Sequence, residues 1–206
     1  MKYLDFQNIF STRPLIDERE VRSIFPDFSP RRFYEWQKRA YIKKITNRFY
    51  VFSNKNIGEN EIGFIANKLL EPSYLSLEYA LRYYNLIPEM VYLITSVSTR
   101  KTKRIETPIC SFQYRTVKEN LFFAYKLINF GGVSFKIAEP EKALLDFLYL
   151  RSDIKNEDDL EELRINAEVF KEIINAEKIK KYLDIFDSIS LANKFKKLNK
   201  ILESYD

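Results

Sequence analysis

Residues 17–26, DEREVRSIFP, then 29–39, SPRRFYEWQKR, and 41–52, YIKKITNRFYVF, decide the architecture of the amino-terminal quarter of this chain. Asp17 stands where a helix N-cap belongs, Glu20 follows three residues on in a capping-box-like pair, and Pro26 closes the segment. A short helix is predicted there, with Val21, Ile24 and Phe25 as its inner stripe. Ser29 is a second N-cap and Pro30 suits the first helical position, so a second helix should reach Lys38 or Arg39. On it Phe33, Trp36 and Ala40 form a buried stripe, which turns Arg31, Tyr34, Glu35 and Lys38 outward. Two β-rich runs, 41–45 and 48–52, flank Thr46-Asn47 and carry Lys43, Lys44 and Arg48 near their tip. Two helices with a tight connection and then a basic hairpin predict a winged helix-turn-helix over residues 1–56.

Ser53-Asn-Lys-Asn-Ile-Gly58 is polar and glycine-closed, and it marks the boundary to a second domain over 57–206. Helices are expected over 60–70, stopping before Pro72, and from Ser76 to before Pro88, the latter burying Leu77, Leu81 and Tyr84. Strands are expected over 91–97, 110–115 and 133–137, with Gly131-Gly132 turning into the last. Pro140 opens a helix whose Ala143, Leu144, Phe147 and Leu148 make an apolar face. From about residue 153 the chain becomes charged and glycine-free, which predicts a tail of two or three amphipathic helices. The expected fold class is α+β: a winged helix-turn-helix, a larger mixed α/β domain, and a helical carboxy-terminal tail.

Composition narrows the chemistry. The 206 residues are 46% hydrophobic and 16% aromatic, enough for a substantial core. No apolar run approaches the roughly 20 residues of a membrane span, and the first residues lack the pattern of a secretory signal, so a cytoplasmic location is expected. One cysteine, Cys110, excludes an intrachain disulfide, and the absence of histidine excludes Ser-His-Asp, Cys-His and histidine-zinc chemistry. No catalytic residue, metal or cofactor is expected. The net charge of +5 is unevenly distributed: residues 1–58 carry 12 Lys and Arg against 6 Asp and Glu. The amino-terminal quarter is therefore the part that would meet a polyanion.

In a helix-turn-helix the second helix enters the major groove. By that logic Arg31 and Tyr34 read bases, Arg32, Lys38 and Arg39 lie nearer the DNA backbone, and Lys43, Lys44 and Arg48 form the wing. Arg100, Lys101, Lys103 and Arg104 follow four hydroxyl residues and make a second candidate anion or nucleic-acid contact. Glu139, Glu141, Lys142 and Asp146 form an acid-x-Glu-Lys pattern similar to that of magnesium-dependent nucleases. Acids at the start of a helix also suit its macrodipole, and Pro140 separates the two glutamates, so catalysis is not expected from them. Tyr74, Tyr79, Tyr83 and Tyr84 are expected to pack rather than stack on bases.

Three blocks in fixed order extend this reading: Gly63-Phe-Ile-Ala-Asn-Lys-Leu-Leu, Tyr74-Leu-Ser-Leu-Glu-Tyr-Ala-Leu, and Ile137-Ala-Glu-Pro-Glu-Lys-Ala-Leu-Leu-Asp146. Together they resemble the AbiEi-type antitoxin family of bacterial abortive-infection and toxin-antitoxin systems, over roughly residues 10–150. Ser76, Leu77, Ala80 and Leu81 match its Ser-Leu-x-x-Ala-Leu core, and Glu139 to Asp146 its Pro-Glu-Lys-Ala-x-x-Asp block. Nothing in 151–206 matches the family. The resemblance implies a promoter-binding autorepressor whose larger domain neutralises a nucleotidyltransferase toxin without a stable complex. Two alternatives stand beside it: a ligand-sensing transcriptional regulator, and a magnesium-dependent nuclease using Glu139, Glu141 and Lys142.

Overall fold

A computed structural model describes residues 1–88 and 92–204. The amino-terminal unit begins with α1 (Tyr3–Phe10), which buries Phe6 and Phe10 one helical turn apart. A two-residue strand β1 (Ile16–Asp17) leads into α2 (Glu18–Ile24), where the Asp17 side chain accepts a hydrogen bond from the Arg19 N–H, 2.9 Å away. Only Val21 of α2 is fully buried; Ile24, expected inside, is the last residue of the helix and lies exposed. α3 (Arg31–Lys38) starts one residue later than expected and buries Phe33 and Trp36. Ala40 lies beyond its end at a φ of 56°, exposed rather than part of the stripe. β2 (Ile42–Thr46) and β3 (Phe49–Phe52) form the hairpin, and the sheet order is β1-β3-β2 with antiparallel pairing throughout.

The core of this unit is aromatic. Phe6, Phe28, Phe33 and Trp36 surround one another, and Phe33 stacks on Tyr50 at 4.5 Å between ring centroids. The other face of the hairpin sheet has a different destination. Leu15, Ile45, Phe49 and Val51 belong to the buried cluster of the larger unit, so all four residues of β3 are buried, alternately toward the two cores. Lys55, in the connecting stretch, donates from Nζ to the Ser11 and Arg13 carbonyls at 3.3 and 2.9 Å and ties the connection back to the loop after α1.

The larger unit holds α4 (Glu59–Leu69), β4 (Ser73–Leu75), α5 (Leu77–Tyr83), β5 (Leu93–Ser98), β6 (Lys103–Glu106), β7 (Ser111–Thr116), β8 (Tyr125–Phe130), β9 (Val133–Ala138) and α6 (Pro140–Leu150). The expected strand start at Val91 lies outside the described residues. Six strands form one mixed sheet in the order β6-β7-β5-β4-β9-β8. β5 runs parallel to β7, β4 parallel to β9, and the remaining neighbours are antiparallel. α4 covers one face: a Cβ on Gly63 would stand 2.9 Å from the Phe135 ring, and Tyr114 donates to the Ala66 carbonyl at 2.6 Å. α5 and α6 cover the other face, where Tyr74 reaches Asp146.

The tail is four helices among the described residues: α7 (Glu157–Glu161), α8 (Ala167–Ile173), α9 (Ala176–Phe186) and α10 (Ile189–Glu203). Asn156, Asn166, Asn175 and Ser188 cap them with side-chain acceptors. α9 and α10 pack on α6, with Tyr182, Phe186, Leu191 and Leu198 in the main core. The molecule is mixed α+β with two sheets, and no helix among the described residues is long and apolar enough to cross a membrane.

Candidate nucleic-acid interface

The outer face of α3 follows from its short length and its two buried aromatics. With Phe33 and Trp36 inside, Arg31, Tyr34, Glu35 and Lys38 fall on the opposite stripe and are exposed. Arg31 is 84% exposed and lies 3.4 Å from Glu35, while the Lys38 ammonium sits 4.7 Å above the Tyr34 ring. Both contacts join neighbours one turn apart in open solvent and hold the cations only weakly. Arg39 is also exposed, just past the helix, and Arg32 is half-buried.

The hairpin divides its cations. Lys44 pairs across the strands with Tyr50, on the face that packs against Phe33 of α3. Lys43 pairs with Val51 on the opposite face and lines a groove with Ile62 and Ile109 of the larger unit. Arg48 is held elsewhere again: its Nε lies 3.5 Å from the Asp17 carboxylate, an ion pair without hydrogen-bond geometry, and its guanidinium covers the Phe49 ring at 4.5 Å. Of the three expected wing cations, Lys44 alone is exposed on the α3 side.

Arg100, Lys101, Lys103 and Arg104 are all exposed, in the loop after β5 and on the edge strand β6. The loop backbone is pinned, since Arg100 N–H bonds the Ser98 hydroxyl and the Thr116 hydroxyl donates to the Arg100 carbonyl at 2.7 Å. Arg104 pairs with Glu106 at 2.5 Å. Arg100 and Lys101 follow the end of β5 far from the Thr107–Cys110 turn, whereas Lys103 and Arg104 lie along the edge opposite Tyr114 and Gln113 in the middle of β7.

The Glu-Lys block is enclosed and committed. The Lys142 ammonium bonds Asp146 one turn on and donates to the Tyr74 hydroxyl at 2.9 Å; Tyr74 and Ser76 each donate to the other Asp146 oxygen at 2.9 Å. Lys142 and Asp146 have no solvent exposure, and the Phe123 and Phe186 rings stand 4.9 and 4.8 Å from the ammonium. Burial pushes the Asp146 carboxyl up and the Lys142 ammonium down, and the attraction between them opposes both shifts. The tail takes up the two glutamates. Glu141 accepts the Asn175 N–H at 3.0 Å, its second oxygen enclosed and without a partner among the described residues, and Glu139 accepts from Lys178 and Tyr182, both at 2.7 Å. Burial raises the Glu139 pKa, but those two hydrogen bonds and the nearby Lys178 and Lys126 charges outweigh it and hold the carboxyl below its ordinary range. Among the described residues no group of three or more acids or cysteines is placed to hold a metal ion.

A cleft of about 670 Å³ opens between the sheet and the ends of α6 and α7. Leu93, Phe147 and Leu163 supply apolar lining, and Gln113, Arg115, Arg151 and Asp153 supply polar groups. Arg115 donates to the Leu150 carbonyl at 3.1 Å, and Arg151 grips Asp153, whose carboxyl is pushed down to about 2 by that bond. Cys110 is half-buried, and burial pushes its thiol up to about 11, away from thiolate chemistry.

No protein-family model matches this sequence, and no curated protein matches it significantly. Sequence reasoning missed the tail residues that occupy the Glu-Lys block, Asn175, Lys178 and Tyr182, because they stand 34 to 43 positions away. It also missed α1, whose Tyr3 stacks on Tyr41 at 4.2 Å and meets Trp36 edge-on. The spacing of Phe6 and Phe10 was the available signal.

Proposed function

We propose that this chain is a DNA-binding antitoxin and autorepressor, with residues 1–56 as a winged helix-turn-helix and the larger unit as the antitoxin domain. The observation that carries the DNA-binding part is the outer face of α3: Arg31, Tyr34 and Lys38 are exposed on one stripe, with Lys44 on the adjoining side of the hairpin. The strand order β1-β3-β2, with α2 and α3 between β1 and the hairpin, supports the winged-helix reading. Arg31 then reads a base edge, Tyr34 and Lys38 flank it, and Lys44 takes a phosphate. The antitoxin part rests on the resemblance of residues 10–150 to the AbiEi-type family. Its functional partner is a nucleotidyltransferase toxin, with no stable complex required.

Mobility-shift titration with the DNA upstream of its own coding sequence tests the first part. Preference for that DNA over random duplex of equal length is expected; equal affinity for both would overturn sequence-specific repression. Co-expression with a neighbouring nucleotidyltransferase gene tests the second, and growth arrest that this chain does not relieve would sink it.

One observation favours a second reading, a ligand-sensing regulator: the cleft beside α7 has the size and the mixed lining of small-molecule sites. We propose no nuclease activity, because Glu139, Glu141 and Lys142 are already bonded to Lys178, Tyr182, Asn175 and Asp146.

A further inference from the structure

The six-stranded sheet is split between β4 and β9, beside the carboxy-terminal end of α4. β4 is three residues long and pairs with β9 only at Leu75 and Ile137, so the two strands part company toward Ser73 and Val133. Asn67 of α4 substitutes for the missing strand: its side-chain carbonyl accepts the Lys136 N–H at 2.5 Å and its amide donates to the Lys136 carbonyl at 3.4 Å. The parting leaves a notch of about 490 Å³. Lys68, Arg100 and Lys136 bring it three cations against one acid, Glu71, and Phe64, Pro72 and Leu127 give it an apolar lining.

The charge in the notch is largely uncommitted. Lys68 is neutralised by Glu71 at 2.9 Å, but no acid among the described residues pairs with Arg100 or Lys136; the Lys136 ammonium lies only over the Tyr125 ring, at 5.1 Å. Arg100 projects from a backbone fixed on both sides by Ser98 and Thr116, so its guanidinium is presented from a rigid loop. Ser73, also in the wall, is 2% exposed, and its hydroxyl is enclosed without a partner among the described residues, so it adds nothing to the open side of the notch. Leu127 is 57% exposed there, an apolar surface open to solvent. Two cations without acid partners and an apolar wall within a space of small-ligand size favour an anion attached to a flat or apolar group. The larger cleft beside α7 lacks this character, since its arginines are spent on Leu150, Glu78 and Asp153 and acids line its lip.

We propose that the notch between β4 and β9 binds the phosphate-bearing end of a nucleotide, with Arg100 and Lys136 on the phosphate and Leu127, the cross-strand neighbour of Lys136, against the base or sugar. The site is independent of the α3 face and does not rest on its reading as a DNA reader. Its ligand is a free nucleotide or the 5′-phosphorylated end of a strand; the chemistry at the notch is the same.

Titration of the full chain with ADP, and separately with a short single strand carrying or lacking a 5′-phosphate, tests this by calorimetry and by amide chemical shifts. Saturable one-to-one binding is expected, weakened about tenfold or more by Arg100→Ala and by Lys136→Ala and partly restored in Arg100→Lys. Arg31→Ala should leave it unchanged, which separates the notch from the head. Binding of ADP identifies a free nucleotide, and binding of the phosphorylated strand alone identifies a strand end. Absence of saturable binding by every probe overturns the proposal. So does binding that Arg100→Ala and Lys136→Ala leave intact, or that weakens equally in a distant control, Lys155→Ala.

Discussion

The two units of this molecule treat charge in opposite ways. The amino-terminal unit keeps its core purely apolar and aromatic, and sets Arg31, Lys38 and Lys44 in solvent. The larger unit places Lys142, Asp146, Glu141, Tyr74 and Ser76 at its centre, with the pair fully enclosed. A charge left in water keeps its capacity to meet a partner, whereas a charge paired inside the fold has already spent it. The difference separates where recognition is sought from where the polar residues are structural.

The largest expected effect breaks the interior of the larger unit. Asp146→Ala leaves the Lys142 ammonium without its counter-ion, and removing one partner of a buried pair costs about 3–5 kcal/mol. Urea unfolding followed by far-UV circular dichroism measures that loss. Trp36, the single tryptophan, sits in the other core, so its fluorescence reports on the amino-terminal unit alone. Because Leu15, Ile45, Phe49 and Val51 are shared with the larger core, both transitions should move together. A Trp36 transition that keeps its wild-type midpoint would show that the units fold independently.

On the exposed side, Arg31→Ala should reduce the preference for specific over random DNA by about 1–3 kcal/mol if it makes one bidentate base contact. Lys44→Ala should weaken both equally and lower the salt slope by about one. Lys43→Ala, on the far face of the hairpin, should do less; equal losses from the two lysines would show that both faces meet DNA. Gly63→Ala sharpens the contrast from within: its new methyl would meet the Phe135 ring at 2.9 Å. Overpacking of about 1–3 kcal/mol exceeds the roughly 1 kcal/mol gained in helix propensity, so thermal unfolding should shift downward.

The smallest effect concerns the partly exposed clamp between Glu139 and α9. The Glu139 carboxyl is held below its ordinary 4.5, so its contribution is complete above that value and is lost as pH falls through the lower, folded one. Amide exchange in the first turns of α9, compared at matched intrinsic rates, should rise below pH 4.5 in the wild type, and Glu139→Gln should remove that dependence. A pH response that persists in the glutamine variant would place its origin elsewhere.

Elements with local punctuation were legible in the chain. Asp17 and Pro26 bracket α2, Pro30 precedes α3, and Pro140 opens α6, because capping and proline restriction act within a few residues. β1, β4, β6 and β8 were not anticipated. β1 and β4, of two and three residues, are too short to show alternation, and β6 and β8 lie at sheet edges where neither face is cleanly apolar. The candidate cations were all visible as residues, but their grouping was not: Lys43 and Lys44 are adjacent in sequence and lie on opposite faces, and Arg48 is bound to Asp17. The notch was invisible, since Lys68, Arg100 and Lys136 come from three separate elements.

By itself the amino-acid sequence determined the uneven charge, the absence of imidazole chemistry and the positions of the helices marked by Asp17, Pro30 and Pro140, all of which depend on residue identity or on neighbours within one or two turns. Tertiary structure alone decided that the Lys142–Asp146 pair is enclosed and bonded by Tyr74 and Ser76, that the tail closes over Glu139 and Glu141, and that β4 stops short beside β9. The physical reason is range. A cap satisfies a backbone group close by, whereas the hydroxyls that complete the buried Lys142–Asp146 pair come from some 70 positions away, Tyr74 and Ser76, and only the folded chain brings them together.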